Sequence, residues 1–140
     1  MKGKYLENLT WIEAEAVFKN DPTVIIPLGA RLKENAYHLP LNNDWIIAEY
    51  LTKRVLCELN VLATPTVQFS YFPAFIEYPG SVNINLETSK QILLDLINSL
   101  TKQGVKKIYI LNTGVSTNWV LESLRKELNT QGLKVDYFDL

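Results

Sequence analysis

The chain has 140 residues, 47% apolar and 21% charged, which excludes a disordered chain and suits one folded core. With 14 basic and 15 acidic residues the formal net charge is -1, leaving no electrostatic footprint for nucleic acid or an anionic membrane. One cysteine, Cys57, rules out an internal disulfide and a thiolate zinc cluster; one histidine, His38, rules out a metal site of two or three imidazoles within the chain. The opening residues lack the apolar centre of a signal peptide, and no run approaches the ~20 apolar residues of a membrane span, so a cytoplasmic protein is expected.

Thr10 and Glu13 stand in capping-box spacing, which predicts a helix over about 10–19, stopped at Asn20-Asp21-Pro22. Thr23 to Leu28 is a continuous apolar run with β-branched residues at its centre, the pattern of a buried parallel strand. Gly29 to Leu41 shows no periodicity and reads as a long connection. A second helix begins at Asn42 or Asn43 and carries Trp45, Ile46, Tyr50, Leu51, Val55 and Leu59 at steps of three and four, the expected inward face. Cys57, between Leu56 and Leu59, reads there as an inert core thiol.

Val61 to Thr64 is a second short strand, closed by Pro65. Thr66 to Asn85 is rich in aromatics and prolines and reads as an ordered loop, with an extended piece at Val82-Asn83-Ile84. A third helix follows over about 87–102, with Gly104 as its C-terminal cap, then a strand from Lys106 to Leu111. The turn Asn112 to Thr117 leads into a fourth helix over 118–129; Gly132 breaks it, and Leu133 to Phe138 is the last strand. This alternation predicts a single α/β domain, a three-layer α/β/α arrangement around a mostly parallel sheet.

Open parallel sheets bind ligands beyond the carboxyl ends of their strands. Two connections there have unusual composition. The one after the first strand holds Glu34, His38 and Asp44, all oxygen or nitrogen donors; the one from Asn112 to Thr117 holds Asn112, Thr113, Ser116 and Thr117 ahead of a helix, where an anion or carbonyl would bind. Glu34 and Asp44 suit a hard ion such as Mg²⁺ or Mn²⁺, or else Glu34 is a solvated charge and Asp44 serves the N-terminus of the second helix. His38 is the one imidazole available for general-base work, or a loop residue packed beside Leu39-Pro40-Leu41. The aromatic stretch from Phe69 to Tyr78, with Glu77 inside it, suits a pocket for a flat substrate or an interface.

Ile26-Pro27-Leu28-Gly29-Ala30 followed by Lys33-Glu34-Asn35-Ala36-Tyr37-His38-Leu39-Pro40-Leu41-Asn42-Asn43-Asp44 resembles the creatininase (creatinine amidohydrolase) family, whose signature reads P-x-G-x-x-E-Q-H-G-P-H-L-P-L-x-T-D. Tyr78-Pro79-Gly80-Ser81 is similar to its F-P-G-T, and Ile110 to Gly114 lies where its strand ends in N-G-H-G-G-N. The resemblance implies a creatininase-like fold, a metal-dependent amidohydrolase acting on a cyclic or linear amide with divalent Zn or Mn, and homo-oligomers. It makes Asp44 the bridging metal ligand. The ligand Glu falls on Glu34, whereas strict counting back from Asp44 places Lys33 there. The ligand His falls on Asn35, His38 matches a neighbouring His, the His of N-G-H falls on Gly114, and an acidic ligand falls near Ser116. Both ligand histidines are therefore replaced. Family members also continue well past the equivalent of Leu140.

Two expectations follow. In one, the metal site is degenerate, amidohydrolase activity is weak or absent, and the fold serves self-assembly or a small ligand bound through Asn112, Thr113, Gly114, Ser116, Glu77 and Tyr78. In the other, Glu34 and Asp44 hold one divalent ion (Zn, Mn or Mg) and His38 relays protons in an active hydrolase.

Overall fold

Thr23 to Leu28 forms the strand its β-branched run predicts, and it is the centre of the molecule. The computed structural model describes residues 1–133 and 135–137. Among these, five strands make one sheet: β1 (Lys4–Tyr5), β2 (Thr23–Leu28), β3 (Leu62–Ala63), β4 (Lys107–Asn112) and β5 (Asp136–Tyr137). Their spatial order is β1-β3-β2-β4-β5 and every pairing is parallel. Lys134 and Phe138, which belong to the expected last strand, lie outside the described residues. β1 has no counterpart in the sequence reading: a two-residue strand carries no hydrophobic period. It is placed by Gly3, where a Cβ would meet the Val61 carbonyl at 2.4 Å.

Four helices connect the strands: α1 (Trp11–Phe18), α2 (Asn43–Glu58), α3 (Leu86–Lys102) and α4 (Asn118–Thr130). The capping box opens α1 as read, with Thr10 N donating to Glu13 Oε2 at 2.8 Å and Glu13 N donating to Thr10 Oγ1 at 3.3 Å. Gly104, at φ +94°, takes the left-handed conformation just after α3. Val82-Asn83-Ile84 is not a strand. Val82 N instead donates to Leu32 O at 2.9 Å and Ile84 N to Ser70 O at 3.1 Å, tying this stretch to two other loops.

The strand period of two divides the core into layers. Val24, Ile26 and Leu28 of β2 and Ile108 and Ile110 of β4 meet Leu93 and Ile97 of α3 and Val120, Leu121 and Leu124 of α4. On the other face Ile25 and Ala63 meet Leu56 of α2. The architecture is therefore three-layer α/β/α with a parallel sheet. Among the described residues no helix is long and apolar enough to cross a membrane.

One expected face is corrected. The buried residues of α2 are Asp44, Ala48, Thr52 and Leu56, a strict i, i+4 stripe, whereas Ile46, Tyr50, Leu51 and Leu59 are exposed. The stripe is small at its middle, so the helix axis approaches the sheet closely: a Cβ on Gly29 would lie 2.8 Å from Ala48 Cβ. Large apolar residues cannot fit that gap and stand outside. Cys57, one position past Leu56, is exposed rather than a core thiol.

Candidate functional site

β2 and β4 are adjacent and in register, Leu28 beside Asn112, so their following loops leave the sheet side by side. One loop leads to α2 on one face and the other to α4 on the opposite face, which makes this edge of the sheet a topological switch point, where parallel sheets bind ligands. Thr113 joins the two loops. Its backbone N donates to Leu28 O at 3.0 Å, and its hydroxyl proton is shared between Leu28 O at 3.2 Å and Asp44 O at 2.8 Å.

Asp44 sits in the first turn of α2, where its charge favours the positive end of the helix dipole. It is buried, and Oδ2 accepts from the ammonium of Lys33, also buried, in the loop after β2. Lys33 is fixed on three sides: its N donates to Leu41 O at 3.0 Å, its carbonyl accepts from Asn35 Nδ2 at 2.8 Å, and its ammonium lies 5.1 Å from the Phe75 ring centroid. Gly114 faces the same carboxylate; a Cβ there would lie 3.5 Å from Asp44 Oδ2. The next turn of the wall is a second cation over a ring, Arg31 at 4.3 Å from the Trp45 centroid.

The remaining sequence candidates are distributed as follows. Glu34 does not point its charge at Asp44: Oε1 accepts from Ala36 N at 2.5 Å, closing a local turn in which Ala36 is left-handed at φ +69°. Its backbone N donates to Ser81 Oγ at 3.0 Å, which joins the loop to the Tyr78-Pro79-Gly80-Ser81 stretch. Asn35 turns its amide inward to the carbonyls of Lys33, Pro40 and Leu41. His38 is exposed and, among the described residues, makes no hydrogen bond or ion pair. Glu77 and Tyr78 are exposed, and Ser116 is half-buried in the turn before α4.

Asn112 is buried with its amide fully occupied. Nδ2 donates to Gly114 O at 3.0 Å and Asn118 Oδ1 at 2.9 Å; Oδ1 accepts from Gly114 N at 3.1 Å and from the Thr117 hydroxyl. Two donors and two acceptors are satisfied, so this amide builds the turn and has none left for a ligand. The aromatic stretch divides: Phe72 is fully buried core, Phe75 covers Lys33, and Tyr71 packs on Trp119 with ring centroids 6.2 Å apart.

Lys33 is the residue at this site that residue-type reasoning undervalued. What the sequence offered for it was the strict count back from Asp44, and the loop brings the two side chains together. Among the described residues, no group of three or more His, Cys, Asp or Glu is arranged to hold a metal ion.

Comparison with known proteins agrees with this fold. The family described as creatininase, creatinine amidohydrolase, matches residues 7–139. The creatinine amidohydrolase of Pseudomonas putida is 26% identical over 117 residues, covering 79% of this chain and 45% of its own length. A manganese form of creatininase is similar in structure, with a TM-score of 0.81 at 23% identity over 98% of this chain and 58% of that one. A creatininase variant complexed with creatine gives a TM-score of 0.82, also at 23% identity and with the same coverage, 98% and 58%. The chain thus spans about half the length of the relatives it matches, and the structural likeness speaks for the fold. With its three-layer parallel fold and a family match across nearly its whole length, this chain belongs to the creatininase family.

Proposed function

We infer that this chain is a creatininase-family protein with a degenerate metal site, weak or absent amidohydrolase activity, and a fold kept for binding a small ligand or assembling with copies of itself. One observation carries the reading: the buried carboxylate of Asp44 meets an ammonium and a glycine, Lys33 and Gly114, rather than imidazoles or carboxylates, while Asn35 turns its amide into its own loop. A two-metal hydrolase needs several anionic or imidazole donors on each ion to polarise a carbonyl and generate hydroxide. This donor set does not fit that group.

The switch point between the β2 and β4 loops supports placing a small ligand there. The chemistry that suits it is an amide or guanidino compound of the creatine type, by analogy with the creatininase complexed with creatine. Self-assembly is supported by the outward face of α2, where Ile46, Ile47, Tyr50 and Leu51 are all exposed.

A second reading keeps hydrolysis, with Asp44 and Glu34 on one divalent ion and His38 relaying protons. What favours it is the retained Asp44 carboxylate at the switch point. Metal content per chain separates the two. Protein purified without chelator is expected to carry no Mn or Zn above background and to leave creatinine and linear amides unhydrolysed. One ion per chain together with amide hydrolysis, both lost in Asp44→Ala, would establish the second reading instead.

A further inference from the structure

A buried carboxylate that stays charged needs a compensating partner, because an isolated charge is costly to take out of water. Asp44 finds it eleven residues back in its own loop. We propose that the Lys33 ammonium is a resident cation standing in the place of a divalent ion at Asp44, so that the loop after β2, the first turn of α2 and the turn after β4 are held together without metal. The proposal rests on the reading of the site as degenerate and goes further, since it assigns the cross-linking role to one side chain.

Three features support the substitution. The pair is nearly dry, with side-chain exposures of 10% for Lys33 and 9% for Asp44, so an arriving divalent ion would have to expel the ammonium or sit against it. Lys33 is positioned by its own backbone through Leu41 O and covered by Phe75, so it is held in place rather than sampling solvent. Three elements converge here: Asp44 is tied to the β4 turn through Thr113 and lies against Gly114, while Lys33 brings in the loop after β2. Charge is matched one to one, and no further cation is needed.

The test removes the resident cation and asks whether a divalent one replaces it. Wild-type protein, Lys33→Glu, Lys33→Gln and Lys33→Glu combined with Asp44→Asn are melted in EDTA and in rising MnCl₂. The wild-type melting temperature is expected to be the same in both. Lys33→Glu puts a second carboxylate beside Asp44; it is expected to melt lower in EDTA and to regain roughly 5–10 °C in saturable fashion with Mn²⁺. Lys33→Gln is expected to melt lower in EDTA and regain a smaller part, and the double variant to gain nothing. If the wild type itself gains stability with Mn²⁺ and Asp44→Ala abolishes that gain, the reading of the site as degenerate falls and this inference with it. If the wild type ignores Mn²⁺ and both Lys33 variants also ignore it, the reading stands and the resident-cation inference is overturned. Should Lys33→Glu fail to fold under either condition, Lys33→Gln decides by the same criterion.

Discussion

The Lys33 ammonium and Asp44 Oδ2 form a buried ion pair that joins the loop after β2 to the first turn of α2. Beside it, Thr113 donates to the Asp44 carbonyl at 2.8 Å, so one residue is gripped through its side chain by one loop and through its backbone by another. The loops after β2 and β4 are therefore braced against each other at the first turn of α2.

Breaking this pair from one side should be costly. Lys33→Ala or Asp44→Ala is expected to destabilise the protein by about 3–5 kcal/mol, because the remaining charge stays buried without a partner. Replacing both with apolar residues of similar size, Lys33→Met with Asp44→Leu, should recover most of that loss. Urea denaturation of wild type, Lys33→Met, Asp44→Leu and the combined variant gives the double-mutant cycle; a double-variant loss equal to the sum of the two single losses would show that the pair does not act as a unit.

Gly29 is required by close packing, not by backbone conformation. A Cβ there would lie 2.6 Å from Asp44 O, 2.8 Å from Ala48 Cβ and 2.9 Å from Thr113 Oγ1. All three neighbours are short or backbone atoms that cannot swing away. Gly29→Ala is expected to cost about 1–3 kcal/mol as α2 is pushed off the sheet, measured by thermal or urea unfolding.

The start of α1 should be acid-sensitive. Hydrogen bonds from the Thr10 backbone N–H, and then from its hydroxyl, hold the Glu13 carboxyl below its ordinary value of 4.5. A depressed carboxylate contributes stability above its unfolded value and loses it as pH falls through the folded one. The stability difference between wild type and Glu13→Gln should therefore be present at neutral pH and shrink below about pH 4.5. Thr10→Ala, which deletes the cap, is expected to cost about 1 kcal/mol at neutral pH.

The outer face of α2 offers a test of self-assembly. Ile47 and Tyr50 are 40% and 58% exposed, so Ile47→Lys with Tyr50→Lys should change stability by no more than about 0.5 kcal/mol. Sedimentation velocity is expected to show the wild type associated and the double variant shifted toward monomer. An unchanged distribution would remove this face from the assembly.

Much of the fold was legible because it follows from local chemistry. The capping box at Thr10 and Glu13, the apolar run of β2, the glycine after α3 and the boundaries of α4 each depend on residues within a few positions of one another. The inward face of α2 was not legible, since apolar residues lie on several sides of that helix. Only the neighbouring sheet determines that Ala48 and Thr52 are inside while Ile46 and Tyr50 are outside. β1 escaped for a related reason: its two residues pair because Gly3 allows the chain to press against Val61, a contact with no local signature.

The candidate site divides along the same line. Sequence alone determined the alternation of strands and helices, hence the parallel sheet, the two loops at its carboxyl edge and the short list of polar residues they carry. Tertiary structure decided what those residues do. It turned Glu34 and Asn35 back into their own loop, left His38 in solvent and satisfied Asn112 within its turn. It also brought Lys33 onto Asp44. The physical reason is that helix and strand formation follow from short-range periodicity and caps, whereas a buried charge takes whichever partner the packing delivers, and that is settled only when the loops close over it.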